Sequence, residues 1–418
     1  MRRIAFYSYD EHGLGHVRRS IAIAHALTAA RPTSILLVAG AREAALFKLP
    51  EGTDTLALPA PSTDFNGARR GPDIGLDKAG TVRVRARALR NALAAFDPEV
   101  LIVDRLPLGV HDELRESLGV LRAMGTRLVL GLREILDDPD RVRAEFERSS
   151  AFDVLRRSYD AIWVYGDPRV YDLAAEYDLP ADIRGMVRFT GYLDRRAAER
   201  STTPDLAARR RELRLPAGRM AVCVLGGGKD GHALAAAFAR AELPEGCTGV
   251  VVAGPFMPDA EREAVHSLAA GRDDLRVLDF VPDAEALIGL ADDVVAMGGY
   301  STVCEILASR TRALVVPRAK PRHEQVIRAR RLSALGLVDM LGPGELAPAA
   351  ISDWLAAGGA ARPTPAADVD TRGLARLPGL LDDLVAGADD TGAPGRGEPP
   401  RFRRIPARRP ARTGSVPA

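Results

Sequence analysis

Met297-Gly298-Gly299-Tyr300-Ser301-Thr302-Val303-Cys304-Glu305-Ile306-Leu307 closes one buried strand, turns on two glycines and opens a helix. The apolar run from Asp293 to Met297 has strand length, and the residues after Tyr300 follow helical spacing. That order is the strand–turn–helix of a parallel α/β unit. Ser301 or Thr302 is placed to cap the helix. The helix start is an anion site suited to a diphosphate. Glu305 lies one turn further on. Its carboxylate can accept hydrogen bonds from two sugar hydroxyls, or pair with an arginine at a buried edge.

The same plan extends in both directions. After residue 216, strands are expected at Met220–Leu225, Gly249–Ala253, Leu275–Leu278, Asp293–Met297 and Ala313–Val316, with helical patterns between them. The first half repeats it with Ile4–Tyr9, Ile35–Val38, Thr55–Leu58, Val100–Val103, Leu128–Leu130 and Ala161–Tyr165. A helix is expected over Val17–Ala30, and another over 82–96 from Val82, Ala86, Leu89, Leu93 and Phe96. Apolar strands without alternation, separated by helices, belong to parallel sheets covered on both faces. The expected organisation is a first domain at 1–193, a linker at 194–216, a second domain at 217–386 and a disordered tail at 387–418. Two doubly wound units in tandem leave a cleft between the carboxyl edges of their sheets, where ligands bind.

Composition narrows the function. The chain has 418 residues, 46% apolar and 27% charged, as in soluble globular proteins. No run is long enough to span a membrane, and Met1-Arg2-Arg3 is not followed by the apolar core of a signal peptide. Formal net charge is +2, but residues 391–418 hold seven arginines and one glutamate, which leaves the rest at −4. A near-neutral body argues against a specific nucleic-acid binder. The tail reads as a solvated extension or, through Arg403, Arg404, Arg408 and Arg409, as a contact with an anionic surface. Three scattered cysteines and no Cys-x-x-Cys exclude a disulfide framework and a structural zinc site. His12 and His16 have ligand-like spacing, but Gly13 and Gly15 make a loop there and no third ligand is evident. Four lysines beside 54 arginines point to a GC-rich, bacterial coding sequence, and the cysteine usage to the cytoplasm.

Three further stretches carry chemistry. Gly13-Leu14-Gly15-His16 follows the first strand and opens the first helix. Its glycines permit close backbone approach to a ligand. Arg18 and the absence of an acidic residue after the second strand disfavour a dinucleotide fingerprint. His16 faces the expected cleft, either as a catalytic base with an ordinary pKa near roughly 6.5 or as a helix cap. Gly226-Gly227-Gly228-Lys229-Asp230-Gly231 occupies the same place in the second unit. It is not a Walker loop, and it reads equally as a structural turn or an anion-binding loop. Finally, Pro317-Arg318 through His323-Glu324-Gln325 lies at a strand's carboxyl edge. The helix after it, with Arg328, Arg330 and Arg331, reads as a solvated face.

Taken together, Gly-Gly-x-x-Thr-x-x-Glu, a strand ending in Val-Pro and a Gln at the next helix resemble glycosyltransferase family 28. That family includes the N-acetylglucosaminyl transferases of peptidoglycan lipid synthesis. The resemblance covers about residues 1–385, with several motifs in the carboxyl half and only the opening loop in the amino half. It implies the GT-B fold, two facing Rossmann-like domains, and transfer of a hexose or N-acetylhexosamine from a UDP-sugar to an acceptor hydroxyl. The transfer would need no metal or cofactor and would invert the anomeric centre. By resemblance Glu305 holds the ribose, and Gly298, Gly299, Ser301 and Thr302 the diphosphate. Gly226, Gly227, Gly228 and Lys229 form the donor-side glycine loop. Phe280 and Val281 lie on the uracil, and Glu324 and Gln325 bind donor-sugar hydroxyls. His16 acts at the acceptor, with Gly13 and Gly15 in its loop. Gly228 stands where the peptidoglycan enzymes have Ser, and Glu324 where Gln is common.

Two rivals share these features. Sugar-nucleotide 2-epimerases have the same fold but carry Ser-Gly-Gly-x-x-Glu-Glu, and Cys304 stands where the first Glu would fall. A non-catalytic nucleotide-sugar binder is the other. The acceptor is open: a lipid-linked sugar, a polysaccharide end or a small molecule. Arg83, Arg87 and Arg90, with Arg69 and Arg70, form either a solvated face or a peripheral contact with the inner face of the plasma membrane.

Overall fold

Apolar runs at both ends of the chain become two all-parallel sheets. The computed structural model describes residues 1–8, 15–40, 47–59, 75–195, 206–281, 284–342, 344–358 and 368–390. The first sheet contains β1 (Arg2–Tyr7), β2 (Thr33–Ala39), β3 (Thr53–Ala57), β4 (Val100–Asp104), β5 (Arg127–Arg133), β6 (Ala161–Tyr165) and β7 (Val187–Phe189). Their order is β3-β2-β1-β4-β5-β6-β7. The second contains β8 (Arg219–Val224), β9 (Cys247–Val252), β10 (Leu275–Leu278), β11 (Asp293–Ala296), β12 (Arg312–Val315) and β13 (Asp339–Met340), in the order β10-β9-β8-β11-β12-β13. Each sheet therefore has a topological switch point, between β1 and β4 in the first and between β8 and β11 in the second.

Strands buried on both faces feed two apolar layers at once. Ile4 and Phe6 of β1 join one cluster while Ala5 and Tyr7 join another, as the two-residue pleat requires. The first of these clusters runs through both sheets. It holds Ile4, Val17, Trp163 and Tyr192 together with Met220, Val294, Tyr300 and Val303. The helix Gly15–Ala30 turns Val17, Ile21, Ala24 and Leu27 inward. It begins two residues before the expected start.

The last helix, Gly373–Asp390, packs on the helix Gly15–Ala30. Leu374, Leu377 and Leu381 enter the shared cluster, and Arg2 Nη1 donates to Asp382 Oδ1 at 2.7 Å. This helix thus straps the second unit to the first. The helix runs to Asp390, past the expected start of the tail at 387; residues 391–418 lie outside the described residues. Within 194–216, read as a plain passage, Leu206–Glu212 is helical, and Leu213 and Leu215 reach the core.

The helix Lys78–Phe96 is capped by Asp77, which accepts from Gly80 N at 2.7 Å. Arg85 anchors its inner face. Its guanidinium makes a paired contact with Glu113, Nε to Oε2 at 2.5 Å and Nη2 to Oε1 at 2.7 Å. Tyr7 Oη donates to the same carboxylate. Arg83, Arg87 and Arg90 are exposed. Among the described residues no helix is long and apolar enough to cross a membrane.

Candidate active site

The switch points of the two sheets face each other. Gly15, opening the helix after β1, stands opposite Ser301, in the first turn of the helix Tyr300–Ser309 after β11. A Cβ built on Gly15 would lie 3.9 Å from Ser301 Oγ. The expected cleft therefore brings His16 to the helix start at 300. Gly13 lies outside the described residues.

His16 is buried and its ring is oriented. Nδ1 lies 2.5 Å from Asp104 Oδ2, at the carboxyl end of β4 on the other side of the switch point. A nitrogen that close to a carboxylate carries the proton, which makes Nε2 the basic nitrogen. Arg19 Nη2 lies 2.8 Å from the same Nδ1, but its bond is the one it donates to Asp104 Oδ1 at 2.6 Å. The Arg19 guanidinium also stands over the rings of Tyr165 and Tyr300, at 5.6 and 5.5 Å from their centroids. Asp104 and Arg19 were not singled out from the sequence. An acidic residue closing a buried strand beside the switch point was the available signal for Asp104.

Burial pushes the His16 imidazole down to about 4; Asp104 opposes the fall and Arg19 and Arg133 add to it. The ordinary value expected from the sequence is therefore corrected, because the ring is buried with Arg19 and Arg133 near it. Burial raises the Asp104 carboxyl, but Arg19 and His16 together hold it well below the usual range. The sign for stability follows. Between pH 6.5 and about 4 the unfolded chain protonates this histidine and the folded chain does not, so stability falls as pH falls. From pH 7 to 5 this group alone should remove about 2 kcal/mol. His16→Gln should lose less stability than the parent over that interval, by about the same ~2 kcal/mol, in urea unfolding at the two pH values.

The second unit supplies a carboxylate, an open helix end and a tight loop. Gly299 is the N-cap of the helix Tyr300–Ser309, which has no side-chain cap. Ser301 and Thr302 lie inside the first turn, which corrects the expectation that one of them caps it. Gly298 is closely packed: a Cβ there would lie 3.1 Å from the Gln325 carbonyl oxygen. At Gly228, φ is +86° and a Cβ would lie 2.2 Å from the Ala253 carbonyl oxygen. No serine fits there, so a hydroxyl contact at that position is ruled out by the backbone. The Gly226–Gly228 turn is thus fixed tightly at Gly228, with Lys229 exposed beside it. Phe280 is 37% exposed while Val281 is buried, so only Phe280 offers a surface for a base to lie on.

Glu305 is buried in the helix and engaged. Arg195 donates to its Oε1, and Arg18 Nη2 lies 3.8 Å from the same oxygen. The arginine pairing allowed by the sequence is thus realised, with Arg18 contributed by the helix that carries His16. Glu324 and Gln325 are both buried at the start of the helix Glu324–Ala334. Arg318 Nη2 donates to Glu324 Oε1 at 3.2 Å, and its backbone N–H donates to Gln325 Oε1 at 3.3 Å. Among the described residues Glu324 Oε2 has no hydrogen-bond partner.

Arg328 overturns the reading of this helix as a plain solvated face. It is fully buried and crosses to the first unit, with Nε 2.6 Å from Glu134 Oε1 and Nη2 3.3 Å from Oε2. Its Nη1 donates to the Gly298 carbonyl at 2.9 Å. Tyr192 Oη donates to the same Glu134 and stacks on Tyr300, centroids 6.2 Å apart. Arg330 and Arg331 are exposed as expected. Asp137 adds a second crossing by accepting from the His323 backbone N–H at 2.8 Å.

Two parallel sheets joined in tandem, facing across their switch points, with the last helix returning to the first unit, have counterparts among solved structures. The calicheamicin glycosyltransferase CalG4 is 18% identical, with 93% of this chain and 99% of that chain covered and a TM-score of 0.59. The chain has the GT-B fold. Another GT-B structure is MurG of Acinetobacter baumannii, at 13% identity, 95% and 97% coverage and a TM-score of 0.52. The UDP-GlcNAc 2-epimerase of Neisseria meningitidis bound to UDP-GlcNAc is similar too, at 11% identity, 93% and 100% coverage and a TM-score of 0.57. No family model and no curated protein sequence matches the chain. Within this fold the helix starts at Gly15 and Tyr300 face each other, with Glu305 further along the second helix.

Proposed function

We propose that the protein is an inverting, metal-independent glycosyltransferase that moves a hexose or N-acetylhexosamine from a UDP-sugar to an acceptor hydroxyl. The observation that carries this reading is the His16–Asp104 pair facing the uncapped start of the helix Tyr300–Ser309. His16 Nε2 takes the acceptor proton while Asp104 fixes the ring and stabilises the imidazolium that forms. The acceptor oxygen bonds to the anomeric carbon as the bond to the diphosphate oxygen breaks on the opposite face. The departing diphosphate gains negative charge, which the helix dipole, the backbone N–H groups near Gly298 and Gly299, and Lys229 stabilise.

In the same reading Glu305 accepts the ribose hydroxyls after Arg195 and Arg18 shift toward the phosphates. Phe280 lies on the uracil, with Val281 beneath it. Glu324 Oε2 and Gln325 bind donor-sugar hydroxyls. The domain limits that fit are 1–193 and 217–386, with the helix at 373 acting as the strap. An acceptor with an anionic lipid anchor is supported by Lys78, Arg83, Arg87 and Arg90. These lie exposed on one helix with Val84, while Leu76 is exposed just before its cap, and the protein would work on the cytoplasmic face of a bacterial membrane.

A second reading, epimerisation of a UDP-sugar, is favoured by the likeness to epimerase structures at comparable TM-score. Incubation with UDP-N-acetylglucosamine and no acceptor separates the two. The transferase reading expects no 2-epimer by chromatography, and epimer accumulation at enzyme-dependent rates would replace it. A thermal-shift screen of UDP-, dTDP- and GDP-sugars should show stabilisation by UDP-sugars and by UDP. A ligand at a hundred times its Kd adds about 2.7 kcal/mol. Shifts with guanosine diphosphates alone would contradict the uracil assignment.

A further inference from the structure

Among the described residues Arg133, at the carboxyl end of β5, has no hydrogen-bonded or ion-paired carboxylate. It lies at the carboxyl edge of the first sheet and is partly buried. The other buried arginines of the cleft are matched: Arg19 by Asp104, Arg328 by Glu134. Arg133 instead feels Arg328, Arg105 and Arg19 as like charges, and burial with these neighbours lowers it to about 10, with Glu324 acting the other way. Its charge also reaches His16. β5 lies between β4, which ends at Asp104, the partner of His16, and β6, so Arg133 sits on the same sheet edge as that pair. Beside it Arg105 holds a left-handed backbone, φ +69°, a strained conformation of the kind found at ligand sites. An unpaired guanidinium among like charges costs stability, and a bound anion removes that cost.

We infer that Arg133 is a substrate-binding residue that selects a carboxylate or phosphate group, carried by the transferred sugar or by the acceptor beside its attacking hydroxyl. The inference deepens the transferase reading and rests on it. A guanidinium offers a planar fork matched to both anions. Its place at the edge of the first sheet separates this anion from the diphosphate, which the second unit holds. The neutral hexose of the general proposal becomes one of two cases: either the sugar is a uronic acid type, or the acceptor is phosphorylated near its reactive hydroxyl.

The test is calorimetry on the full chain, R133Q and R133K. The probes are UDP, UDP-glucose, UDP-glucuronate, and methyl phosphate added with and without saturating UDP. The expected result is unchanged affinity for UDP and UDP-glucose in R133Q. Either UDP-glucuronate or methyl phosphate should bind about tenfold more weakly or worse, with partial recovery in R133K. The probe that responds identifies the source of the anion. The melting temperature of R133Q should equal or exceed that of the parent, because a repelled cation is gone. Unchanged binding of both anionic probes overturns the inference. So does an equal loss of UDP affinity, which would place Arg133 on the diphosphate, or a fall in melting temperature, which would make its role structural. If the parent binds no uridine nucleotide the transferase reading fails, while methyl phosphate on the nucleotide-free protein still reports on Arg133.

Discussion

His16→Ala is expected to lower turnover by about 10²–10⁴-fold while leaving UDP affinity nearly unchanged. The reason is positional. His16 belongs to the helix after β1 and bonds to Asp104, whereas the elements proposed to hold the nucleotide belong to the second sheet. The pH dependence should carry the same signature. With the imidazole held down near about 4, the acid limb of kcat/KM should lie well below pH 6. Asp104→Asn should slow turnover too, since an amide cannot stabilise the imidazolium, and it leaves Arg19 without its carboxylate. A rate assay on a soluble acceptor and a calorimetric UDP titration, run on the same preparations, separate the two effects.

Removing either partner of the Arg328–Glu134 pair should cost about 3–5 kcal/mol of stability. Both side chains are fully buried, so the partner left behind loses its counter-charge away from solvent. Glu134→Gln would strand the Arg328 charge. Arg328→Met would strand Glu134, remove the donor to the Gly298 carbonyl and leave Tyr192 as the remaining donor to that carboxylate. Because the pair joins the two units, the loss should also loosen the cleft. Urea unfolding of both single variants measures the cost. The double variant R328M/E134L should recover a large part of it, since an apolar pair needs no counter-charge. A loss of under about 1 kcal/mol in either single variant would show that water reaches the pair.

The fold was legible because its strands are apolar on both faces. Ala161–Tyr165 and Leu275–Leu278 occur with the expected limits, and the other expected strands shift by one to three residues. The strands that were missed, Val187–Phe189 and Asp339–Met340, are short edge strands whose residues are half exposed. Nothing in three residues of mixed polarity distinguishes a strand from a loop. The glycine turns were legible too, since positive φ and close backbone approach leave a mark in the sequence at Gly228 and Gly298. Charged residues in the cleft were not. Whether an arginine is buried depends on a partner far along the chain. Asp104 lies 88 positions from His16, Arg195 lies 110 from Glu305, and Glu134 lies 194 from Arg328. Helical spacing gave Arg328 the look of a surface residue, because its own helix supplies no clue that the other unit covers it.

The assignment of nucleotide to the second unit and base to the first is the centre of the account. Calorimetric titration of UDP into the parent, Glu305→Ala and His16→Ala tests it most directly. Glu305 is expected to accept hydrogen bonds from the ribose, and loss of such a charged acceptor costs on the order of 1.5–3 kcal/mol, or about ten- to a hundred-fold in Kd. The account predicts that loss in Glu305→Ala and a Kd within about twofold of the parent in His16→Ala. UDP binding abolished by His16→Ala and untouched by Glu305→Ala would place the nucleotide in the first unit and contradict it.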